Sequence, residues 1–283
     1  MNWLARLSNI DRRMIFVLIG AAVIIPFFRP LWLPVHVTEH VKNVFDFIES
    51  IPPDGQAVLV SMDYSPETLP ELYPMNLAIL RHCFARDVRV VGMTLDPRGI
   101  GIGEMAIKTS ADEYGKQYGE DYVYLGFRPG IVAVILGIGE DIKRVFGTDN
   151  YGADLDSLPV MAHLTNYDDI SLVVTLASST YPESWISYAN SRYHQLIACG
   201  VTAVMAADFY PWLQTGQFIG MLGGLKGASE YELLVENAGY SRERKTATIG
   251  MDAQSVVHVL IVLFIVLGNI AYFASRRSAG GDA

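Results

Sequence analysis

His36, Glu39 and His40 stand in the order H-x-x-E-H. In some zinc proteases that spacing sets two imidazoles on a metal and a carboxylate beside its bound water. Such a centre needs a third protein ligand and an open water position, and no second motif in the chain picks that ligand out. The stretch also follows directly on a long apolar run, an awkward place for a cleft that accepts polypeptide. Val37, Val41, Val44, Phe45 and Ile48 recur at helical spacing through the same region. Residues 35–50 therefore read as an amphipathic juxtamembrane helix, and no metal is assigned.

Nucleophilic chemistry has a second set of candidates. Ser178, Ser179 and Thr180 end an apolar segment, just ahead of Pro182-Glu183. His194 follows, and Asp63, Asp96 and Asp208 close other apolar segments. A serine, a histidine and an aspartate could be assembled from these, but G-x-S-x-G is absent. Hydroxyl residues before Pro-Glu more often cap a helix. A membrane-anchored hydrolase, with Ser178 or Ser179 as nucleophile and Asp63, Asp96 or His194 in support, is thus the alternative reading and not the leading one.

Two glycine-rich turns, Gly99-Ile-Gly101-Ile-Gly103 and Gly137-Ile-Gly139, sit where a dinucleotide loop would. The G-x-G-x-x-G spacing would need glycine at Glu104, Ala106 or Ile142, and neither turn ends in the Lys-Ser/Thr of a phosphate loop. No cofactor is expected.

These residues need a scaffold. Five short Val-, Ile- and Leu-rich runs, 56–62, 88–95, 130–138, 170–177 and 201–207, read as strands buried on both faces, with 122–127 as a further strand or edge. Helical patterns at 69–86, 103–115, 140–146 and 183–198 alternate with them. The expected fold is a three-layer α/β domain around a mainly parallel, Rossmann-like or flavodoxin-like sheet. In such a sheet ligands bind beyond the strand carboxyl ends, where the strand order reverses. The residues expected there are Asp63, Tyr64, Ser65, Asp96, Arg98, Ser178, Ser179, Asp208 and Tyr210. Aromatic rings beside carboxylates suit a small polar or cationic ligand. Downstream, Gly216, Gly220, Gly224 and Ala228 recur every four residues. On one helix they would make a small-residue face that packs closely, either on the sheet or against a partner.

The ends of the chain point to a bilayer. Residues 14–34 contain MIFVLIGAAVIIPFF and then Leu31–Val35 beyond Arg29; residues 255–275 are almost uncharged. Each is read as a transmembrane helix, the first a retained signal anchor, because no small-residue cleavage site follows it. Arg6, Arg12 and Arg13 precede the first, and Arg276 and Arg277 follow the second. Residues 1–13 and 276–283 are therefore expected on the cytoplasmic side, and the α/β domain over 51–254 outside. Six of the 21 Lys and Arg lie outside residues 35–255, but only Asp11 and Asp282 of the 30 Asp and Glu do. That acidic domain argues against a nucleic-acid partner. Cys83 and Cys199 sit in apolar contexts and read as buried free thiols. The expected protein is a two-pass cell-membrane subunit that binds a small molecule, a membrane-protein partner or its own copy without catalysing a reaction. Short cytoplasmic tails leave its output to partner proteins.

Overall fold

The computed structural model describes residues 11–53, 55–240 and 246–279, with side chains to 273. Arg6, the cluster Arg242, Arg244 and Lys245, and the side chains of the expected tail 276–283 lie outside the described set. The chain forms two compact units, 35–247 and a smaller one from residues up to 34 and from 248 onwards.

The larger unit is built on six strands: β1 (Ala57–Asp63), β2 (Val90–Thr94), β3 (Tyr122–Phe127), β4 (Ile170–Ala177), β5 (Ile197–Val201) and β6 (Gly220–Gly223). They run parallel in the order β3-β2-β1-β4-β5-β6. The chain begins in the middle, walks outward to β3, then returns to lay β4 on the other flank of β1. The order therefore reverses between β1 and β4. Register is set by the buried runs, with Leu59 opposite Val173 and Val58 opposite Val90. A one-residue slip would change the face on which every side chain points.

Val58, Val60 and Met62 face one helical layer, while Ala57, Leu59, Val91 and Met93 face the other. The first layer holds α1 (Glu39–Ser50), α2 (Leu69–Ala85), α3 (Ile100–Tyr114) and a helix at Gly224–Asn237. The second holds α4 (Ile131–Ile138), α5 (Ile142–Phe146), α6 (Tyr181–Trp185) and α7 (Ala206–Gln214). The Gly224–Asn237 helix is α8. Helix α1 buries Val41, Val44, Phe45 and Ile48, as its spacing predicts. It is fixed by Glu49, which hydrogen-bonds the fully buried His82 of α2; the other ring nitrogen of His82 meets Tyr231 of α8. Burial pushes His82 down to about 4, so this imidazole is neutral at physiological pH.

Several expected elements change type. Residues 131–138 form helix α4 and not a strand: Val134, Ile135 and Ile138 are buried while Val132 and Ala133 are exposed, a helical pattern written in strand-forming residues. The helix expected to reach 198 stops at Tyr193, where His194 takes a left-handed conformation (φ 56°). Strand β5 then ends at Val201; of the run expected as a strand over 201–207, residues 202–205 form a turn and Ala206 and Ala207 begin α7. The glycine stripe is not a single helix. Gly216 lies in a turn at φ 75°, Gly220 opens β6, Gly224 begins α8 and only Ala228 lies within it.

In the smaller unit, a helix at Arg12–Phe28 has 17 residues, about 25 Å at 1.5 Å per residue. That falls short of the ~30 Å hydrocarbon layer, so the structure does not show the membrane-spanning helix expected over 14–34. The chain then turns at Trp32 (φ 53°). The amides of Leu31, Trp32 and Leu33 donate to the carboxylate of Asp252 at 3.0–3.1 Å. Asp252 lies on the long helix Thr246–Ala279. Its stretch Thr246–Phe273, 28 residues, is the one helix among the described residues long and apolar enough to cross a membrane. Its outward residues, such as Val259, Val262 and Phe273, are exposed.

Candidate functional site

The carboxyl ends of β1, β2 and β4 converge at the reversal in strand order. Asp63 ends β1 and is completely buried. Its Oδ1 accepts the amide of Leu95, after β2, at 2.6 Å. The Ser61 hydroxyl reaches both carboxylate oxygens at 2.9 and 2.7 Å, and the Thr175 hydroxyl approaches Oδ2 at 3.4 Å. Ser61 and Thr175 are direct neighbours across the β1–β4 pair. Asp63 thus ties three strand ends together. Burial raises its pKa to about 7, against the lowering effect of Leu95, Ser61, Thr175 and the Trp185 indole. The Trp185 side chain is itself fully buried, and its N–H makes no hydrogen bond of normal geometry.

Asp96 follows β2 and caps the short turn Pro97–Gly99 by accepting the Arg98 amide at 2.9 Å. The Arg98 guanidinium grips both of its oxygens, Nε to Oδ1 at 3.1 Å and Nη2 to Oδ2 at 2.8 Å. This bidentate pair holds Asp96 below the usual carboxylate range. Asp96 is 2% exposed while Arg98 is 60% exposed, so the pair presents a cation to solvent over a buried anion. Thr94 fixes the turn, accepting the Asp96 amide and donating to its carbonyl. Gly99 lets it pass over β1: a Cβ there would lie 2.5 Å from the Met62 carbonyl oxygen. Beside Arg98, the Ser65 hydroxyl donates to exposed Glu67, which is held below its usual range by that bond first, with Arg98 a smaller contributor.

Ser178 and Ser179 continue β4 and are half-buried. Tyr181 follows at the start of α6, raised mainly by burial and then by the charges of Asp96 and Asp63. The strand ends therefore bring together Asp63, Ser65, Asp96, Arg98, Ser178 and Ser179. Three expected residues lie elsewhere. Tyr64 is fully buried in the layer of α2, its hydroxyl accepting from Asn76 at 2.9 Å. Asp208 and Tyr210 are exposed on α7, where the Tyr210 ring meets His40 edge-on at 6.4 Å.

Tyr181 and Trp185 belong to the site but were not singled out in the sequence. Ser61 and Thr175 were legible: each is a lone hydroxyl in an apolar run (VLVSMD, LVVTLA) close to its carboxyl end.

The other expected constellations come apart. His194 precedes β5 at the amino edge of the sheet, whereas Ser178 follows Ala177, which is level with Val201 at the far end of β5. Four residues of strand alone separate the two levels by roughly 13 Å at ~3.3 Å per residue. A Ser–His pair is not formed. His36 precedes α1, which begins at Glu39, so the two histidines of HVTEH do not share a helix. Among the described residues no group of three His, Cys, Asp or Glu is arranged to hold a metal. Gly101 and Gly103 lie inside α3, and Gly137 inside α4.

Of the four residues expected as an interface, Gly216 is exposed with open space around it, and the other three are used in internal packing. Gly220, Gly224 and Ala228 are buried, and a Cβ on Gly220 would sit 2.3 Å from the His40 carbonyl oxygen. A separate cleft of about 400 Å³ opens at the amino edge, between Gln56, Arg89, His163 and Asp169. Two of its polar groups are engaged within the domain: Arg89 donates to the Gly55 carbonyl, and Asp169 accepts the Thr165 amide. No protein-family model, no curated protein and no solved structure matches the chain.

Proposed function

We propose that this is a membrane-anchored, non-catalytic receptor-like subunit that binds a small polar ligand at the carboxyl ends of β1, β2 and β4. The observation that carries the reading is the reversal of strand order between β1 and β4, with the Asp96–Arg98 pair above a buried Asp63 at that crossing. A crevice of this kind is where open α/β sheets bind ligands. With its Nε and one Nη2 bond on Asp96, the exposed Arg98 guanidinium keeps its outer edge for a carboxylate or phosphate, and Glu67 and Tyr181 border it. With His194 at the opposite edge, nothing on the described strand ends supplies Ser178 with an imidazole base, which favours binding over hydrolysis.

The anchoring is part of the proposal. Both terminal helices cross the bilayer in this reading, the first completed by residues 29–34. Amides beyond a helix end are costly to leave bare near lipid, and Asp252 accepts three of them. The basic residues Arg12, Arg13, Arg276 and Arg277 would hold both ends in the cytoplasm and the acidic domain outside.

The test is a thermal-shift series on the purified full chain in mild detergent. Small carboxylates, phosphate esters, amino acids and polyamines serve as probes, with Arg98→Ala and Asp96→Asn in parallel. A dose-dependent rise in Tm that both substitutions abolish supports the site. A rise that survives both, or no rise with any probe class, contradicts it.

A further inference from the structure

Asp63 is a buried carboxyl group served by neutral donors. It lies directly opposite Ala177, the last residue of β4, so Ser178 and Ser179 leave the sheet beside it and lead into α6. Ser61 and Thr175 offer it hydroxyls and Leu95 an amide. The Trp185 indole, fully buried in α6, reaches towards it without completing a normal hydrogen bond. Among the described residues no cation forms an ion pair with it.

The cation at this crossing is Arg98, and it is shared out already. Its Nε and Nη2 hold Asp96, and its outer edge faces solvent. Tyr181 feels the charges of Asp96, Asp63 and Arg98 together, which puts all three around one hydroxyl. An anion drawn to Arg98 would be a third negative charge beside a single positive one. Like charges in a desolvated site disfavour each other's ionised forms. A proton on Asp63 removes the excess and keeps the hydrogen bonds, because the Ser61 and Thr175 hydroxyls can accept as well as donate. Burial has already raised this carboxyl to about 7, so the proton is at hand near neutral pH. The groups facing Asp63 keep their charge in that range. Asp96 and Glu67 are held low and Arg98 high. Tyr181, Tyr124 of β3 and Cys199, next to Thr175 on β5, are all pushed up by burial.

We infer that the crevice takes a small oxyanion, a carboxylate or phosphate, together with one proton, the oxyanion on the outer edge of Arg98 and the proton on Asp63. The inference rests on the ligand site proposed above, and its test separates the two. Acetate and sulfate keep a fixed charge between pH 6 and pH 8. Each is titrated by calorimetry into the purified full chain in mild detergent, with Asp63→Asn and Arg98→Ala in parallel.

The wild type should bind about tenfold more tightly at pH 6 than at pH 8, since the protonated fraction of a group titrating near 7 falls about tenfold across that span. At pH 7, binding heats in two buffers of different ionisation enthalpy should report uptake of roughly half a proton. Asp63→Asn should bind equally at both pH values, and Arg98→Ala should not bind. Equal wild-type affinity at both pH values without proton uptake, and with Arg98 still required, overturns the proton linkage and leaves the ligand site standing. A pH dependence unchanged in Asp63→Asn overturns the assignment to Asp63. No binding of either probe at any pH overturns the inference outright, and the thermal-shift series with the other probe classes then judges the site itself. If Asp63→Asn does not fold, the buffer comparison on the wild type decides.

Discussion

Asp63 gives the sharpest quantitative consequence of this structure. Burial holds its pKa at about 7 in the folded protein, against 3.8 as the ordinary value. The folded state therefore keeps a proton that the unfolded chain has already released. Stability falls with rising pH wherever the folded state binds more protons, so this group's penalty is absent below pH ~4 and complete above pH ~7. Between pH 5 and pH 8 about two pKa units of that window remain, worth about 3 kcal/mol at 1.36 kcal/mol per unit. In Asp63→Asn the side chain cannot ionise, its carbonyl can still accept the Leu95 amide, and Ser61 and Thr175 can turn to accept from its NH2. The Tm of the full chain in detergent, read from tryptophan fluorescence, should therefore drop in the wild type relative to Asp63→Asn as pH is raised from 5 to 8. For a unit of roughly 200 residues, 1 kcal/mol shifts Tm by about 2–4 °C, so the two curves should diverge by about 6–12 °C. Parallel Tm–pH curves would refute the reasoning, because they would mean that Asp63 is ionised and satisfied in the fold.

Other perturbations bear on packing. Gly220→Ala should destabilise by about 1–3 kcal/mol, since its Cβ would meet the His40 carbonyl at 2.3 Å and the Val44 side chain at 2.6 Å; Gly216→Ala, with open space around it, should cost only the left-handed backbone penalty, about 1 kcal/mol. Equal losses in Tm would show that Gly220 is not wedged against α1. Cys83 and Cys199 are buried, and burial pushes the Cys83 thiol up to about 12, so a thiol-reactive dye at pH 8 should modify neither until denaturant is added; stoichiometric labelling of native protein would contradict their packing. Buried Glu230 accepts both the amide and the hydroxyl of Thr38 at 2.7 Å, and Glu230→Ala should cost about 1–3 kcal/mol by leaving that amide unpaired. Hydrogen exchange at Thr38 should accelerate in the variant, and unchanged protection would show that the amide finds another partner.

The strands at the centre of the sheet were readable because they are buried on both faces, which forces runs such as Val58-Leu59-Val60 and Leu172-Val173-Val174. IVAVILGI over 131–138 defeats the same rule. Its exposed positions are Val132 and Ala133 and not polar residues, so the helical period leaves no trace in polarity. Strand β6 was hidden for the converse reason. Its ends are Gly220 and Gly223, chosen for close approach to His40 and Ala206, and such residues carry no strand signature. At the site, Asp63, Asp96 and Arg98 were legible as polar residues at strand ends. Tyr64 was not distinguishable from them in sequence, because the alternation that turns it inward becomes visible only once the face of α2 is known. Asp208 and Tyr210 follow an apolar run that reads as a strand through 207, whereas β5 ends at Val201, so the sequence hides their place on the outside of α7.

The decisive measurement is the one that places both ends of the chain relative to the bilayer. Single cysteines at Asn150, Asn237 and Ser278, in a background lacking Cys83 and Cys199, are exposed to an impermeant thiol reagent on intact cells. Labelling at 150 and 237 but not at 278 is the predicted result for a domain held outside by two spans. Labelling at 278 alone would put the domain in the cytoplasm. A difference between 150 and 237 would mean that the chain crosses the membrane within the domain, which would contradict both the proposed anchoring and the single parallel sheet.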